Sequence, residues 1–156
     1  MSPIRVFFDT NVLVYAHDQA SVYHSGAASL LEAAFQQSIQ GIIAEQNIVE
    51  LYRVLTNPIA MTGSPLTPSQ ASELIAGTYL SGTFEILYPT LATIEKTLEL
   101  AVSRQITSAK IFDLRLAALA SEAAIDYFAT YNIRDFRGIS GLPTMLPQDI
   151  LAAIQL

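Results

Sequence analysis

Four acidic side chains stand at positions where the sequence predicts the end of a strand or the first turns of a helix. Asp9 follows the apolar run Val-Phe-Phe, and Asp135 comes shortly after the fourth predicted strand. Asp113 falls in the first turn of one predicted helix, and Glu50 lies on the helix after the second predicted strand. Sites in open parallel sheets lie outside the carboxyl ends of the strands. We therefore expect Asp9, Glu50, Asp113 and Asp135 to meet at one edge of the sheet.

Carboxylates that are brought together repel one another, and each raises the pKa of its neighbours unless cations intervene. Mg²⁺ and Mn²⁺ are suited to such a group because hard cations prefer oxygen ligands. Two ions about 3.5–4 Å apart can hold the attacking and the leaving oxygen of a phosphodiester, while one of them activates a water. The acids thus predict Mg²⁺- or Mn²⁺-dependent hydrolysis without a side-chain nucleophile.

Each acid also has a structural interpretation. Asp113 would complement a helix dipole, Asp135 would cap a short turn, and Glu50 would form a solvated pair with Arg53 three residues on. Asp9 is harder to explain in this way, because a carboxylate directly after an apolar strand sits at a buried strand end. Spacing alone leaves both interpretations open.

The elements that must position these acids alternate between strands and helices. The apolar runs predict strands at 5–9, 41–44, 84–88, 126–130 and 144–146. Helical periodicity and caps predict helices at 11–16, 21–40, 47–55, 67–82, 91–104 and 110–124, with a last helix from 147. This alternation predicts one α/β domain over residues 1–156, with a mostly parallel central sheet flanked by helices on both faces.

Composition limits the classes of protein and of partner. Apolar residues make up 51% of the chain and charged residues only 14%, with a mean hydropathy of +0.38. No apolar run approaches the roughly 18–20 residues of a spanning helix, so we expect no membrane partner but an apolar face covered by another protein, most simply in a homodimer. The first residues lack a secretory leader and the chain lacks Cys, which favours a cytoplasmic location.

Net charge bears on any nucleic-acid partner. The chain carries 14 acids against 8 bases, a net charge of −6. A nucleic-acid-binding protein usually neutralises phosphates with a basic surface. If this chain acts on RNA or DNA, cations must therefore supply much of the positive charge at the site.

Four segments resemble those of a known family. They are FDTNVLVYA at 8–16, NIVELYRVLTNP at 47–58, IFDLRLAALA at 111–120 and TYNIRDF at 130–136. Together they are similar to the four acid-bearing segments of PIN-domain ribonucleases, especially the VapC-type toxins of bacterial toxin–antitoxin pairs, and they occur in the family's order. The resemblance implies a PIN-like fold, dependence on Mg²⁺ or Mn²⁺, and endonucleolytic cleavage of RNA.

The resemblance also assigns roles and partners. The acidic quartet would be Asp9, Glu50, Asp113 and Asp135. Polar side chains around it would orient bound water or a neighbouring carboxylate; these are Asn11, Thr130 and Asn132. The implied partners are a second copy of the chain and a small antitoxin that blocks the site, often by inserting a basic side chain.

Basic residues near the acids are candidates for contacts with RNA phosphates. They are Arg53, Lys110, Arg115 and Arg134. Surface solubility explains them equally well, and Arg53 would alternatively hold Glu50 in place.

Two other functions remain open. Asp9 would be a phosphatase nucleophile if a second Asp stood two residues on, but Asn11 occupies that position. The second alternative is a PIN-fold module that binds RNA or an antitoxin but has weak or no catalytic turnover. The intact set of four acids argues against it, while the acidic composition keeps it open, since free RNA would be held weakly outside the metal site.

Asn132 marks a departure from the family pattern, because some relatives carry an acid at this position. With an amide here, the negative charge falls to Asp135 alone, and we predict that a second metal ion binds weakly until substrate phosphate completes its shell. Calorimetric titration with Mg²⁺ in the absence of RNA should show at most one tight site. Two tight sites would contradict the hypothesis.

Overall fold

A five-stranded, all-parallel sheet forms the centre of the computed structural model, which describes residues 2–61 and 64–155. The strands are β1 Arg5–Phe8, β2 Gln40–Ala44, β3 Glu85–Leu87, β4 Tyr127–Ala129 and β5 Thr144–Met145. Their order across the sheet is β3-β2-β1-β4-β5. The first strand therefore lies in the middle of the sheet. From β1 to β3 the strands are added on one side of β1, and β4 and β5 are added on the other side. Open α/β sheets form their sites at such a switch point, here between β1 and β4.

Eight α-helices in the described residues pack on this sheet. They are α1 Thr10–His17, α2 His24–Phe35, α3 Glu45–Leu55, α4 Pro68–Tyr79, α5 Leu91–Arg104, α6 Ile111–Glu122, α7 Ile133–Phe136 and α8 Pro147–Ile154. A 3-10 turn at Ser108–Lys110 leads into α6. The predicted α/β fold is confirmed, and the sheet is parallel throughout the described residues.

The central strand supplies side chains to two separate cores, one on each face of the sheet. Val6 and Phe8 belong to the core beneath α1, α2, α3, α4 and α8. Phe7 belongs to the core beneath α6 and stacks on Phe128 of β4 with ring centroids 5.3 Å apart. Both faces of β1 are thus buried, which explains why its sequence is continuously apolar rather than alternating.

The prediction for the second helix was wrong at both ends. The Ser21 hydroxyl accepts a hydrogen bond from the backbone N–H of Tyr23 and forms a turn, so the helix begins only at His24. Gln37 has a left-handed φ of 58°, which ends the helix well before residue 40. Phe35, the last residue of the helix, is 38% exposed.

Local capping signals were more reliable. The side chain of Thr67 accepts a hydrogen bond from the N–H of Gln70, and the Gln70 side chain accepts one from the N–H of Thr67, as expected for a capping box before α4. The loop predicted at 56–66 is irregular where it is described, while its Gly63 lies outside the described residues. No sequence pattern predicted α7, a single turn at Ile133–Phe136.

None of the helices in residues 2–61 and 64–155 combines the length and the apolar character that crossing a lipid bilayer requires.

Gly41 tests the packing of β2 against the first core. A Cβ added at Gly41 would lie 2.5 Å from Phe84 Cε1 and 3.1 Å from the Cβ of Ala34, and the Phe84 ring is confined by Phe8 and Tyr79. We expect Gly41→Ala to lower the free energy of unfolding by about 1–3 kcal/mol in denaturant titrations, because overpacking strains the core.

Gly77 provides the matched control, because it lies inside α4 and an added Cβ would meet nothing within 4 Å. Gly77→Ala should stabilise the fold by about 0.5–1 kcal/mol. An unchanged or more stable Gly41→Ala variant would show that β2 does not pack against Phe84 as described.

Candidate active site

Asp9 lies at the junction between the central strand and α1. It caps α1, and its Oδ1 accepts a hydrogen bond of 2.8 Å from the N–H of Thr10. Its Oδ2 accepts a second bond of 2.8 Å from the hydroxyl of Thr130. The residue is only 6% exposed. Both oxygens are thus fixed in a buried setting at the carboxyl end of β1.

Thr130 and Asn11 connect the ends of β1 and β4. The hydroxyl oxygen of Thr130 accepts bonds from the N–H of Asn132 at 2.9 Å and from Asn11 Nδ2 at 3.3 Å. Asn11 Oδ1 accepts a bond of 3.3 Å from the N–H of Tyr131. The Thr130 hydroxyl therefore has a defined direction, since two donors occupy its lone pairs and its proton points to Asp9.

Gln46 fixes Glu50 and joins α3, which carries Glu50, to α6, which carries Asp113. Its Nε2 donates to Glu50 Oε1 at 2.7 Å and to the carbonyl oxygen of Phe112 on α6 at 3.0 Å. Its Oε1 accepts a bond of 2.7 Å from Arg115, which also pairs with Glu45 at 2.8 Å. Every hydrogen-bonding group of this buried amide contacts either α3 or α6, so Gln46 sets the distance between those helices near Glu50 and Asp113.

Asn47 joins α3 to α1 in a similar way. It is completely buried, donates to the Thr10 hydroxyl at 2.9 Å and accepts a bond of 2.7 Å from the N–H of Ala44. The sequence analysis assigned no role to Gln46 or Asn47. The only signal was a pair of amides between apolar helix positions, where buried polar groups require partners.

Asp135 lies on α7, which packs on the same face of the sheet as α6. Asn132 Nδ2 donates to Asp135 Oδ2 at 2.6 Å, and the carbonyl oxygen of Asp135 accepts a bond of 3.3 Å from Arg104. Asn132 thus orients the carboxylate that the sequence predicted as the fourth acid.

One cavity of about 330 Å³ collects most of the predicted site. Its polar wall is formed by Asp9, Thr10, Asn11, Glu50, Arg53, Asp113 and Asn132. Asp113 also lines an adjoining cavity together with Asp135. The structure therefore places three of the four acids around a single cavity, and the fourth borders it through Asp113.

Burial dominates the electrostatics of Asp9. Desolvation raises the pKa of Asp9 to about 7 from 3.8, against the hydrogen bonds from Thr130 and Thr10, which lower it. The nearby charges of Asp113 and Glu50 raise it further. Without a bound cation, Asp9 is therefore partly protonated at neutral pH.

Asp113 shows the same effect more weakly. Desolvation raises the pKa of Asp113 to about 6, Asp135 and Glu50 raise it through their charges, and Lys110 lowers it. Asp113 is thus electrostatically coupled to each of the other three acids. A positive charge placed beside Asp113 would relieve all of these repulsions.

The donor chemistry of this cavity suits a hard divalent cation, because the acids offer only oxygen ligands. In residues 2–61 and 64–155, no three acids or histidines are grouped closely enough to surround one metal ion. Mg²⁺ needs no such cage, since it usually keeps several waters and binds one or two carboxylates together with substrate phosphates. Pairs such as Asp9 with Asp113 therefore fit it better than they would fit a Ca²⁺ shell of many protein ligands.

The basic residues that the sequence singled out occupy different settings. Arg53 is exposed on the rim of the acidic cavity, and Lys110 and Arg134 are exposed beside Asp113 and Asp135. Arg115 is instead held by Glu45 and Gln46, an arrangement that favours positioning of the helices over contact with a ligand.

A single α/β domain with carboxylates at the carboxyl edge of a parallel sheet is an arrangement suited to metal-assisted hydrolysis. The family profile described as PIN domain matches residues 6–142. Ribonuclease VapC24 of Mycobacterium tuberculosis is 32% identical over 129 residues, 82% of this chain and 86% of that protein. The chain belongs to the PIN-domain family, as its four segments indicated.

Solved structures agree with this fold. VapBC-1 from nontypeable Haemophilus influenzae matches with a TM-score of 0.64 at 16% identity, covering 93% of this chain and 99% of that chain. A toxin–antitoxin complex from Klebsiella pneumoniae matches with a TM-score of 0.62 at 20% identity, covering 91% of this chain and 97% of that chain.

The Gln46 bridge can be tested by its contribution to stability. Gln46→Met keeps the length of the side chain but leaves Arg115 and the Phe112 carbonyl without their partner, and we expect a loss of about 1–3 kcal/mol in the free energy of unfolding. Gln36→Met is the control, because Gln36 donates to Glu32 on an exposed surface. Equal stability of the two variants would show that Gln46 does not join α3 to α6.

The raised pKa of Asp9 predicts how stability depends on pH without metal. The folded protein holds the Asp9 proton up to about pH 7, while an unfolded chain releases it near 3.8. Stability from this group is therefore complete below pH 3.8 and is lost as pH rises through about 7. His17 opposes this trend, because burial and then the charge of His24 lower the pKa of His17 to about 4.

A difference measurement removes the contribution of His17. In EDTA, the stability of Asp9→Asn relative to the natural chain should increase between pH 5 and 8, by about 2–4 kcal/mol, since each pKa unit corresponds to about 1.4 kcal/mol. Asp149→Asn, on the exposed first turn of α8, should show no such trend. A constant difference for Asp9→Asn would mean that Asp9 is charged throughout.

Proposed function

We propose that this protein is an endoribonuclease toxin of a toxin–antitoxin pair, which hydrolyses RNA phosphodiesters with Mg²⁺ or Mn²⁺. The observation that carries the proposal is the shared cavity of Asp9, Glu50 and Asp113, with Asp135 coupled to it through Asp113. Family membership and the similarity to a protein named as a ribonuclease support it.

The acids would hold the metal ions, and the surrounding side chains would hold the acids. When bound, a divalent ion supplies a water of lowered pKa and stabilises the charge that grows on the leaving oxygen. Thr130 and the N–H of Thr10 fix Asp9, Gln46 fixes Glu50, and Asn132 fixes Asp135. Preorganisation of this kind keeps the carboxylates from turning away when no ion is present.

RNA contacts would come from exposed bases around the cavity. Arg53 stands on its rim next to Glu50, and Lys110 and Arg134 stand beyond Asp113. With a net charge of −6, binding of RNA should depend on these few cations together with the metal ions.

An apolar groove next to the acids is the surface we assign to the antitoxin. A groove of about 400 Å³ between α3 and α4 is lined by Val49, Tyr52 and Leu80 among others. Val49 also lines a cavity that contains Phe112, Glu50 and Asp113. An apolar segment bound here could extend a basic side chain to the acids and exclude RNA. Structural neighbours include toxin–antitoxin complexes.

A second copy of the chain would cover a different face. The exposed side of α5 carries an apolar stripe with helical spacing, formed by Leu91, Ile94, Leu98 and Val102. This stripe lies away from α3 and α4, so a homodimer and an antitoxin would not compete for it. The cytoplasmic location stays a prediction.

The alternative is a PIN-fold module that binds RNA or an antitoxin but cleaves weakly or not at all. A neighbouring short gene, whose product has a DNA-binding amino-terminal half, would favour the toxin over this alternative.

The decisive experiment compares RNA cleavage by the natural chain with that by Asp9→Asn and Asp113→Asn. Mapping of new RNA 5′ ends should show Mg²⁺-dependent cuts that each variant reduces about 100-fold or more, because each removes a carboxylate that would hold a metal ion. Asp149→Asn loses one exposed carboxylate that does not line the cavity and should cut normally. Undiminished cutting by both site variants would refute the proposal.

A further inference from the structure

A small cavity on the α6 side of the sheet gathers basic side chains beside two of the acids. We call it the basic pocket. It has a volume of about 80 Å³ and is lined by Arg104, Lys110 and Arg134, together with Asp113 and Asp135. The chain has only 8 bases, so three around one small cavity is a local excess in a molecule whose net charge is negative. An anion of small size is the ligand that this excess favours.

Arg104 is fixed in the pocket by the backbone of α7 and of the residue that follows it. Its Nη1 donates to the carbonyl oxygen of Arg137 at 3.1 Å and its Nη2 to that of Asp135 at 3.3 Å. Its Nε is buried and has no hydrogen-bond partner among the described residues. The guanidinium is therefore held in place with one donor unused. Arg104 thus contributes a fixed positive charge to the wall of the pocket.

The side chains of Lys110 and Arg134 are exposed, and within residues 2–61 and 64–155 neither side chain makes a hydrogen bond or a salt bridge. Lys110 stands on the 3-10 turn before α6, and Arg134 stands on α7. Lys110 is close enough to lower the pKa of Asp113. These two side chains can thus reach a ligand in the pocket. Lys110 does so from the turn before the helix that carries Asp113, and Arg134 from the helix that carries Asp135.

We propose that the basic pocket binds the RNA phosphate next to the one that is cleaved. The proposal rests on the proposed function, because it takes the acidic cavity as the place of cleavage. Asp113 lines both cavities, so a strand whose reacting phosphate lies at Asp9, Glu50 and Asp113 passes the pocket within its next linkage. Arg and Lys are the side chains that bind phosphodiester oxygens.

The pocket would also fix the orientation of the RNA strand relative to the acids. The wall formed by Arg104, Lys110 and Arg134 lies on the α6 and α7 side of Asp113, whereas Glu50 and Arg53 lie on the α3 side. A phosphate held on one side only would fix the register in which the strand crosses the acids. Phosphate contacts of this kind set position rather than sequence preference.

The first test measures how RNA binding depends on salt. It uses a short single-stranded RNA with Mg²⁺ and the full chain carrying Asp9→Asn, so that the RNA stays intact. Lys110→Ala and Arg134→Ala should each reduce the slope of log affinity against log salt by about 0.7, as for one phosphate contact on a single strand. The double variant should bind roughly tenfold more weakly.

Lys96→Ala is the matched control for loss of one positive charge. Lys96 lies on α5 and donates to Ser121 at the far end of α6, so its removal should leave the slope unchanged. Equal slopes for the Asp9→Asn protein with and without Lys110→Ala or Arg134→Ala would overturn the proposal. A loss of slope as large with Lys96→Ala would also overturn it, since the effect would then be one of net charge.

The second test locates the phosphate. A neutral methylphosphonate replaces each linkage of the RNA in turn, and one linkage beside the cleaved position should weaken binding by the natural pocket but not by the double variant. Equal losses in both proteins at every position would overturn the proposal. If the natural chain fails to cut RNA but the slopes still differ, the proposed function fails and the placement beside a cleaved phosphate fails with it, while the contact between the pocket and an RNA phosphate is retained. If it cuts RNA and the slopes agree, only the pocket fails.

Discussion

A carboxylate buried at the edge of a parallel sheet is the constraint on which the other features of the site depend. Asp9 is almost fully enclosed, and burial opposes its negative charge more strongly than two hydrogen bonds favour it. Asp113 and Glu50 add repulsion rather than relief. The fold keeps like charges together because packing of two cores around β1 fixes the strand end where Asp9 stands. A cation is the natural complement of such an arrangement.

Amide and hydroxyl side chains connect the elements that carry the acids. Thr130 connects β4 to Asp9, Gln46 connects α3 to α6, and Asn47 connects α3 to α1. The Gln46 contact crosses from one face of the sheet to the other, and the other two contacts join neighbouring elements at its carboxyl edge. Beyond the ends of the strands, this polar network therefore fixes the positions of acids that come from distant parts of the chain.

Basic side chains are concentrated on two sides of Asp113. The chain is acidic overall, yet Arg53 stands on one side of Asp113 and the basic pocket on the other. Apolar surfaces are separated in the same manner, with the stripe of α5 on one face and the groove of α3 and α4 on the other. In the proposed function, the metal ions, the RNA phosphates and the two protein partners would therefore each occupy a different part of a small domain.

The sequence by itself determined the α/β class, most strands, and the acids as a group, because these follow from local apolar runs, caps and short segments. Ser21 misled the prediction of α2, since a hydroxyl that forms a turn has the same sequence signal as a helix cap. Only the tertiary structure decided the roles of Gln46, Asn47 and Arg104, and it turned Arg115 toward Glu45. Their partners are distant in sequence, and a side chain's partner across the fold depends on packing that no local pattern encodes.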